Sequence, residues 1–92
     1  MIQKFKQKGL KQFFESANAS GVNPHHVTRI RYVLALLETS ETIEDMDLPG
    51  LKLHELKGKR SGTWAVKITG SWRVTFKLRS GDAGDVDYED YP

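Results

Sequence analysis

Residues 51–78 read LKLHELKGKRSGTWAVKITGSWRVTFKL, and this stretch decides the fold because apolar and polar side chains alternate along it. The apolar positions of its two main runs are Trp64, Val66 and Ile68, then Trp72, Val74, Phe76 and Leu78. Alternation with a period of two is typical of β-strands that bury one face. Turn signals around Gly58, Gly62 and Gly70 separate the runs. The pattern predicts an antiparallel meander with one apolar and one polar face.

Positive charge is concentrated in the same stretch. The chain has a formal net charge of +2, but residues 52–79 carry eight Lys and Arg residues against a single acid, Glu55. Residues 38–51 and residues 80–92 each carry five acids and no base. Basic side chains gathered on one sheet face favour binding to phosphate groups, whereas scattered charges would only aid solubility. The polar face is therefore a candidate surface for a polyanion, with plain solvent exposure as the alternative.

The size and composition of the chain exclude several protein classes. Its 92 residues are enough for one domain with a single core, spanning residues 1–92. The chain has no cysteine, which excludes a disulfide framework and a cysteine zinc cluster. No apolar run approaches the roughly 20 residues that cross a bilayer, and residues 1–9 lack the apolar segment of a secretory signal. We expect a cytoplasmic protein that needs no cofactor.

Two helices are predicted before the sheet. The first has an apolar stripe with the i, i+3, i+4, i+7 spacing of a half-buried helix, formed by Leu10, Phe13, Phe14 and Ala17. The second begins at Asn23 and Pro24. The Asn side chain caps the free amides, and Pro costs no hydrogen bond at the first helical position, where the backbone N–H would have no partner within the helix. Its stripe consists of Val27, Ile30, Val33, Leu34 and Leu37. His25 and His26 are expected in its exposed first turn.

The remaining segments complete an α+β fold. Ile2 to Phe5 is predicted to be a short edge strand, and Glu41 to Asp47 an acidic helical turn. Ser80 to Gly84 reads as a turn, followed by a last strand from Asp85 to Tyr91. The predicted fold is therefore an antiparallel β-sheet meander packed on one face by two N-terminal helices.

One irregularity in the alternation concerns Leu53 and Leu56, which lie three positions apart. Both reach the core only if the strand contains a bulge or ends near Glu55. A bulge would place His54 and Lys57 together on the polar face, and bulges are common beside active sites. If the strand ends instead, Lys57 is a lysine of the following turn. The spacing alone does not separate these interpretations.

Arg73 falls on the polar face, together with Lys67 and Lys77. A lone arginine on a strand is more often a solvated or cross-strand charge than a catalytic group. Here a histidine, several cations and a tyrosine are predicted to share one face, and this set can cleave RNA without a metal ion. One group removes the proton of a 2′-hydroxyl, another protonates the leaving 5′-oxygen, and fixed cations stabilise the phosphorane.

The chain closes with the sequence YEDY, residues 88–91. If the last strand continues to its end, it holds Asp90 and Tyr91 beside the basic patch, where a tyrosine can stack on a base or take part in proton transfer. The alternative is a frayed acidic terminus. Trp64 and Trp72 alternate with core residues, so they are interpreted as packing groups and not as base-stacking groups.

Four segments of the sequence together resemble the HigB-type "killer" proteins, the plasmid-maintenance toxins of the RelE superfamily. The segments are MIQKFKQKGLKQFFE, KLHELKGKRSGTWAVKI, GSWRVTF and VDYEDY, which occur in the order expected for the family, and the similarity extends over essentially the whole chain. The resemblance implies a RelE-like α+β fold. It also implies a ribosome-dependent endoribonuclease that cuts messenger RNA within codons in the decoding site of the 70S ribosome.

The resemblance assigns roles to individual residues. The positions that match the family's catalytic residues are His54, Lys57, Arg73, Asp90 and Tyr91. Lys59 and Arg60 resemble the adjoining basic residues that hold RNA. Lys67 and Lys77 are expected to bind RNA because they share the predicted polar face. This chain ends in Pro92 where such toxins end in histidine, so any proton transfer by a terminal histidine must fall to other groups.

The resemblance further implies a protein partner. This would be a helix-turn-helix antitoxin of the HigA type that inhibits the toxin, and the complex of the two would bind operator DNA. The acidic segment Glu41 to Asp47 is expected to lie away from the RNA-binding face and to contribute to the charge complementarity of that complex. Two alternatives remain. One is a non-cleaving toxin that acts by occupancy, as ParE-like gyrase inhibitors do, and the other is a generic RNA-binding domain.

Overall fold

Two helices precede a four-stranded sheet in the computed structural model, which describes residues 1–90. The elements are α1 (Lys8–Ser16), α2 (Val27–Thr39), β1 (His54–Glu55), β2 (Trp64–Thr69), β3 (Trp72–Arg79) and β4 (Asp82–Asp90). The strands pair antiparallel in the order β1-β2-β3-β4. The predicted α+β arrangement and the meander are confirmed. Within residues 1–90, no helix combines the length and apolar character needed to span a membrane.

The main core lies between the helices and one face of the sheet. Its most buried members are at most 1% exposed, and they include Ile30, Val33, Leu34 and Leu37 of α2 and Val66, Val74, Phe76 and Val86 of the strands. Burying a side chain of this size stabilises the fold by about 1.5–3 kcal/mol. The alternation of apolar residues thus determines which sheet face meets the helices. Trp64 and Trp72 are half-buried and pack against the core margin, as predicted.

Bulges and tight turns adjust the register of the sheet. Arg79 pairs with Asp82, so the β3–β4 turn has only two central residues, Ser80 and Gly81, both with positive φ (51° and 81°). Such a turn matches the twist of a hairpin. The predicted turn over residues 80–84 is therefore too long, and β4 begins three residues earlier than expected. A bulge at Asp85 (φ 49°) then restores the inward orientation of Val86.

The N-terminal segment runs alongside the first half of β4. Ile2 bridges to Ala83 and Phe5 bridges to Val86, both in parallel orientation. The N–H of Gln3 donates to the carbonyl of Ala83 at 2.7 Å. The predicted edge position is confirmed, although the segment forms two isolated bridges and not a continuous strand.

The start of α2 differs from its predicted environment. Asn23 accepts a hydrogen bond from the N–H of His25 and caps a 3-10 turn over Pro24–His26. His25 is exposed as predicted, but His26 is only 5% exposed, and its Nδ1 is hydrogen-bonded to the hydroxyl of Tyr88. Burial raises the pKa of the Tyr88 phenol above its usual 10.0. The expectation of two exposed histidines is wrong for His26 because the turn directs this ring towards the sheet.

A close backbone contact joins α1 to the loop before α2. A Cβ atom on Gly9 would lie 2.5 Å from the carbonyl oxygen of Gly21, and a Cβ on Gly21 would lie 2.7 Å from the Cα of Gly9. These distances are shorter than side-chain carbons tolerate. The contact requires glycine at both positions.

Gly9→Ala is expected to lower the free energy of unfolding by about 1–3 kcal/mol, because the added methyl group must displace backbone atoms. Urea denaturation measures the change. Gly84→Ala is the matched control, since a Cβ at Gly84 meets nothing within 4 Å and φ there is not positive. The control should stay within about 0.5 kcal/mol of the parent. A Gly9 variant as stable as the Gly84 variant would contradict the contact.

Candidate active site on the outer face of the sheet

The outer face is the sheet face opposite the helices. The register brings its residues into rows that cross the strands. One row contains His54, Ala65, Thr75 and Asp87, and the next contains Lys67, Arg73 and Glu89. His54 on β1 and Arg73 on β3 therefore point to the same side of the sheet. Two strand spacings and one pleat repeat separate their Cα atoms by about 12 Å.

Part of the outer face is buried. The sequence predicted a cationic surface there and did not predict these buried positions. Leu56, Thr63, Ala65 and Thr75 are all at most 8% exposed. Leu56 donates its N–H to the carbonyl of Thr63 at 2.8 Å, so these two residues face each other. Leu56 is buried but lies outside the main core cluster. Leu56 is thus buried, but on the outer side of the sheet and not between the sheet and the helices, because the strand pairing turns it outward.

The irregularity in the first strand occurs before His54. Lys67 donates its N–H to the carbonyl of Leu51, while His54 pairs with Ala65, so three residue steps on one strand face two on the other. Lys52 supplies the extra residue, with φ 50°. Pairing then continues without interruption from His54 to Leu56. A bulge between Leu53 and Leu56 is therefore absent, and the strand ends at Glu55, which is the second of the two predicted alternatives.

His54 is exposed and has a defined hydrogen-bonding geometry. Its Nδ1 lies 3.2 Å from the carbonyl oxygen of Lys52, the residue of the bulge. A carbonyl only accepts hydrogen bonds, so Nδ1 must carry the proton when this bond forms. In the neutral ring Nε2 then has a free lone pair. The backbone thus selects the tautomer that can act as a base on the outer side of the sheet.

Lys57 follows directly after the paired residues. It is exposed and precedes a 3-10 turn over Gly58–Arg60. Since the pairing up to Leu56 is regular, strand alternation does not direct Lys57 to the face of His54. Its position is that of a turn lysine beside the end of β1.

Arg73 occupies the middle of the second row. Its Nη1 donates to the carbonyl of Gly70 at 2.7 Å and to the carbonyl of Trp72 at 3.1 Å. Both bonds anchor the guanidinium near the β2–β3 turn. Lys67 lies opposite on β2 and Glu89 opposite on β4. The predicted grouping of Arg73 with Lys67 on one face matches this register.

Glu89 is a residue of the outer face to which the sequence reading assigned no role. The Nη1 and Nη2 of Arg60 donate to its two carboxylate oxygens at 2.9 and 2.6 Å, and the hydroxyl of Thr75 donates to Oε2. The paired Arg60 guanidinium holds the pKa of Glu89 below its usual 4.5, with a smaller contribution from Thr75, although burial acts in the opposite direction. Alternation placed Glu89 on the polar side, but only the register reveals its partners.

The depressed pKa of Glu89 makes stability depend on pH. Because the folded-state pKa lies below the unfolded value, the stabilisation is fully present above about pH 4.5 and is lost as pH falls through the folded-state pKa. Glu89→Gln is expected to lower the free energy of unfolding by about 1 kcal/mol at neutral pH, because the Arg60 side chain is partly exposed and solvent screens the pair. The difference from the parent should shrink in acid.

Urea denaturation at neutral pH and at about pH 3 measures this dependence. Asp87→Asn is the control, since Asp87 lies two residues earlier on the same face of β4. Parallel stability curves for the parent and the Glu89 variant across this range would contradict the assignment of the ion pair.

Asp90 lies at the end of β4 in register with Trp72, whereas Glu89 is opposite Arg73. Its carboxylate accepts a hydrogen bond from the hydroxyl of Ser71. By alternation Asp90 does not share the row of Lys67, Arg73 and Glu89, so the expected position of its carboxylate beside the basic patch stays a prediction. Tyr91 and Pro92 lie outside the described residues.

The other predicted RNA-binding residues fall into two places. Lys59, Arg60 and Lys77 line one 170 Å³ cavity on the outer face, and Lys67 lies in the row of Arg73. Arg60 is also the partner of Glu89, with its side chain 40% exposed. Among residues 1–90, no three His, Cys, Asp or Glu side chains are grouped as a metal site would require.

Comparison with known proteins adds two findings. The profile of a family described as "RelE-like toxin of type II toxin-antitoxin system HigB" matches residues 3–91. A protein named Endoribonuclease HigB, from Proteus vulgaris, is 43% identical over 91 residues, which cover 99% of each chain. Both similarities include every helix and strand described above.

Proposed function

The chain belongs to the HigB-like family of RelE-type toxins of type II toxin–antitoxin systems, and on this premise we propose that it is an endoribonuclease that cleaves messenger RNA in the ribosomal decoding site. The name of the Proteus vulgaris relative supports the enzyme class. The observation that carries the proposal is the shared outer face of His54, Lys67 and Arg73, on which His54 presents the Nε2 lone pair. A base and fixed cations are the groups that phosphodiester transfer requires.

His54 acts as the general base in this proposal. Its Nε2 removes the proton of a 2′-hydroxyl, and the 2′-oxygen attacks the adjacent phosphorus. The bond from phosphorus to the 5′-oxygen breaks, which leaves a 2′,3′-cyclic phosphate and a free 5′-hydroxyl. Water and metal ions take no part in this transfer step. Proton removal by a positioned side chain typically contributes about 100- to 10,000-fold to the rate.

Arg73 stabilises the negative charge that develops on the phosphorane oxygens. Its Nη1 is anchored to two backbone carbonyls, so little reorganisation is needed when the charge develops. Lys67, opposite on β2, adds a second cation. Lys57 is proposed to reach the phosphate from the end of β1, and its exposed side chain allows this.

Protonation of the leaving 5′-oxygen is assigned to Tyr91. A phenol can donate this proton and later recover it from the imidazolium of His54 through solvent, so the protons balance over a full cycle. Asp90 is proposed to act at the end of β4, where its carboxylate accepts a hydrogen bond from Ser71 beside the β2–β3 turn. Pro92 has no titratable side chain and transfers no proton.

The openness of the site supports a requirement for the ribosome. His54 and Lys57 are exposed on a broad surface, which by itself does little to hold a flexible message in the geometry for in-line attack. A message fixed in the decoding site supplies that orientation. The toxin would thus act in the cytoplasm, on translating ribosomes.

A HigA-type helix-turn-helix antitoxin is the proposed inhibitor, and operator DNA would be bound only by the complex of both proteins. The acidic segment from Glu41 to Asp47 supports a charge contribution away from the outer face. Its central turn, Ile43–Met46, packs beside α2, and Met46 is buried in the main core. This places the segment on the helix side of the sheet.

Mapping of RNA ends tests the proposed function. Purified toxin is added to 70S ribosomes programmed with a defined message, and new 5′ ends are sequenced with and without prior phosphorylation. We expect ends within the codon in the decoding site that become ligatable only after phosphorylation, because the product carries a 5′-hydroxyl. Ends that carry a 5′-phosphate, or intact message with the toxin bound to the ribosome, would overturn the proposal.

A further inference from the structure

Four cations converge on a cavity of 170 Å³ on the outer face, here named the four-cation pocket. Lys6 comes from the N-terminal segment, Lys59 and Arg60 from the turn after β1, and Lys77 from β3. Thr63, Thr75 and Asp85 complete the lining. Three segments that are distant in sequence thus bring four positive charges together, of which Arg60 is paired with Glu89 and Lys77 lies near Asp85. The remaining excess of positive charge favours an anionic occupant.

Lys6 is the member of the pocket that no sequence pattern indicated. Its N–H donates to the carbonyl of Val86 at 2.8 Å, which fixes its backbone beside β4. Its side chain lines the pocket together with Arg60, and its positive charge makes a minor contribution to the lowered pKa of Glu89. The parallel pairing of the N-terminal segment with β4 thus brings Lys6 to the outer face.

The pocket is displaced from the proposed reaction centre. Lys77 is four residues beyond Arg73 on β3, which corresponds to about 13 Å along the strand. Thr75, which lines the pocket, lies between them on β3. A phosphate bound against Lys77 is therefore not the phosphate that Arg73 contacts at the cleaved bond.

The side chains that line the pocket favour a phosphate of the RNA backbone over a nucleobase. Among residues 1–90, the side chains that line the pocket supply two threonine hydroxyls and four cations, and none of them is an aromatic ring on which a base could stack. The Nζ of Lys77 lies 3.9 Å from the carboxylate of Asp85, at the limit of an ion pair, and both side chains are at least 40% exposed. Such a pair is weak, so a phosphate can displace it.

We propose that the four-cation pocket is a second phosphate subsite, which binds a phosphodiester of the RNA backbone away from the cleaved bond. The inference rests on the proposed function, since it assumes an RNA-cleaving toxin. The phosphodiester belongs either to the message or to ribosomal RNA, and both present the same chemistry. The subsite strengthens the binding of the RNA and fixes its position along the toxin surface, and it leaves the chemical step unchanged.

Lys6→Ala and Lys77→Ala test the subsite, with Lys8→Ala as the matched control. Lys8 is an exposed lysine two residues after Lys6 that does not line the pocket. On programmed ribosomes, each pocket variant should raise KM by about 5- to 30-fold and leave kcat within about twofold. The slope of the logarithm of the binding constant against the logarithm of the salt concentration should also become shallower, by the amount that corresponds to roughly one lost phosphate contact.

Two binding measurements distinguish the sources of the phosphate. Lower affinity for vacant 70S ribosomes assigns it to ribosomal RNA, and lower affinity only for programmed ribosomes assigns it to the message; both results support the subsite. Pocket variants that match Lys8→Ala in KM and salt dependence would overturn it. A reduced kcat with unchanged KM would also overturn it. If the parent binds but does not cleave, the proposed function fails, while the two binding measurements still decide the subsite.

Discussion

His54→Ala is expected to slow message cleavage by about 100- to 10,000-fold, which is the usual loss when a general base is removed. The reason lies in the Lys52 bulge, whose carbonyl fixes the Nδ1 proton and leaves Nε2 as the only basic atom of the neutral ring. Alanine provides no such atom. Single-turnover cleavage on programmed 70S ribosomes, with toxin in excess, measures the chemical step directly.

The matched control for this variant is His25→Ala. His25 is exposed in the turn before α2 and lies away from the outer face. It should cleave at the parental rate. Equal rates for the two histidine variants would remove His54 from the mechanism.

A combined His54→Ala and Lys57→Ala variant separates cleavage from occupancy. If the toxin acts by cleavage, the double variant should no longer arrest growth, although it still binds ribosomes. Growth arrest that persists without new RNA ends would favour a toxin that acts by blocking its target. Thermal unfolding of the double variant establishes that the loss is not a folding defect, since both side chains are exposed.

Arg73→Ala is expected to lower kcat by about 100- to 1,000-fold, the loss seen when one anchored donor to a developing oxyanion is removed. The effect should fall on kcat more than on KM, because the contact strengthens as charge develops on the phosphorane. Arg73→Lys keeps the charge but loses the planar donor pair, so it should recover only part of the rate. Steady-state kinetics on programmed ribosomes measure both parameters.

Lys67→Ala serves as the comparison for Arg73, since the two residues are paired across β2 and β3. Both substitutions remove one positive charge from the same row of the outer face. We expect a smaller loss for Lys67, mainly in KM. Losses of equal size in kcat would mean that general positive charge, and not the anchored guanidinium, stabilises the transition state.

The sequence was sufficient to predict the order of the elements and the buried faces of α2, β2 and β3. The stripe predicted for α1 was half right, since Leu10 and Phe13 are buried but Phe14 is exposed. Alternation over β2 and β3 correctly placed Val66, Val74 and Phe76 in the core. The helical spacing correctly assigned the buried stripe of α2, and Asn23 with Pro24 marked the turn that precedes it. These features depend on neighbours within a few residues, so their signals are local.

The candidate site was only partly predictable. The residue types and the family resemblance singled out His54 and Arg73, and the register places them on one face. The partner of Arg73 on β4 was not predictable, because alternation puts both Asp87 and Glu89 on the polar face and the register alone decides which of them lies opposite Arg73. The contribution of Lys6 to the four-cation pocket depends on parallel pairing over about 80 residues of sequence, which no local pattern encodes.

The sequence by itself determined the order of helices and strands, the apolar face of the sheet and the gathering of basic residues on the opposite side. The tertiary structure alone decided the register, through bulges at Lys52 and Asp85, two non-glycine residues with positive φ. A strand's period of two is a property of the strand itself, whereas the residue opposite each position depends on turns and bulges elsewhere in the sheet. For that reason the sequence predicted which kinds of side chain lie on the outer face, but it did not predict which residues lie opposite each other.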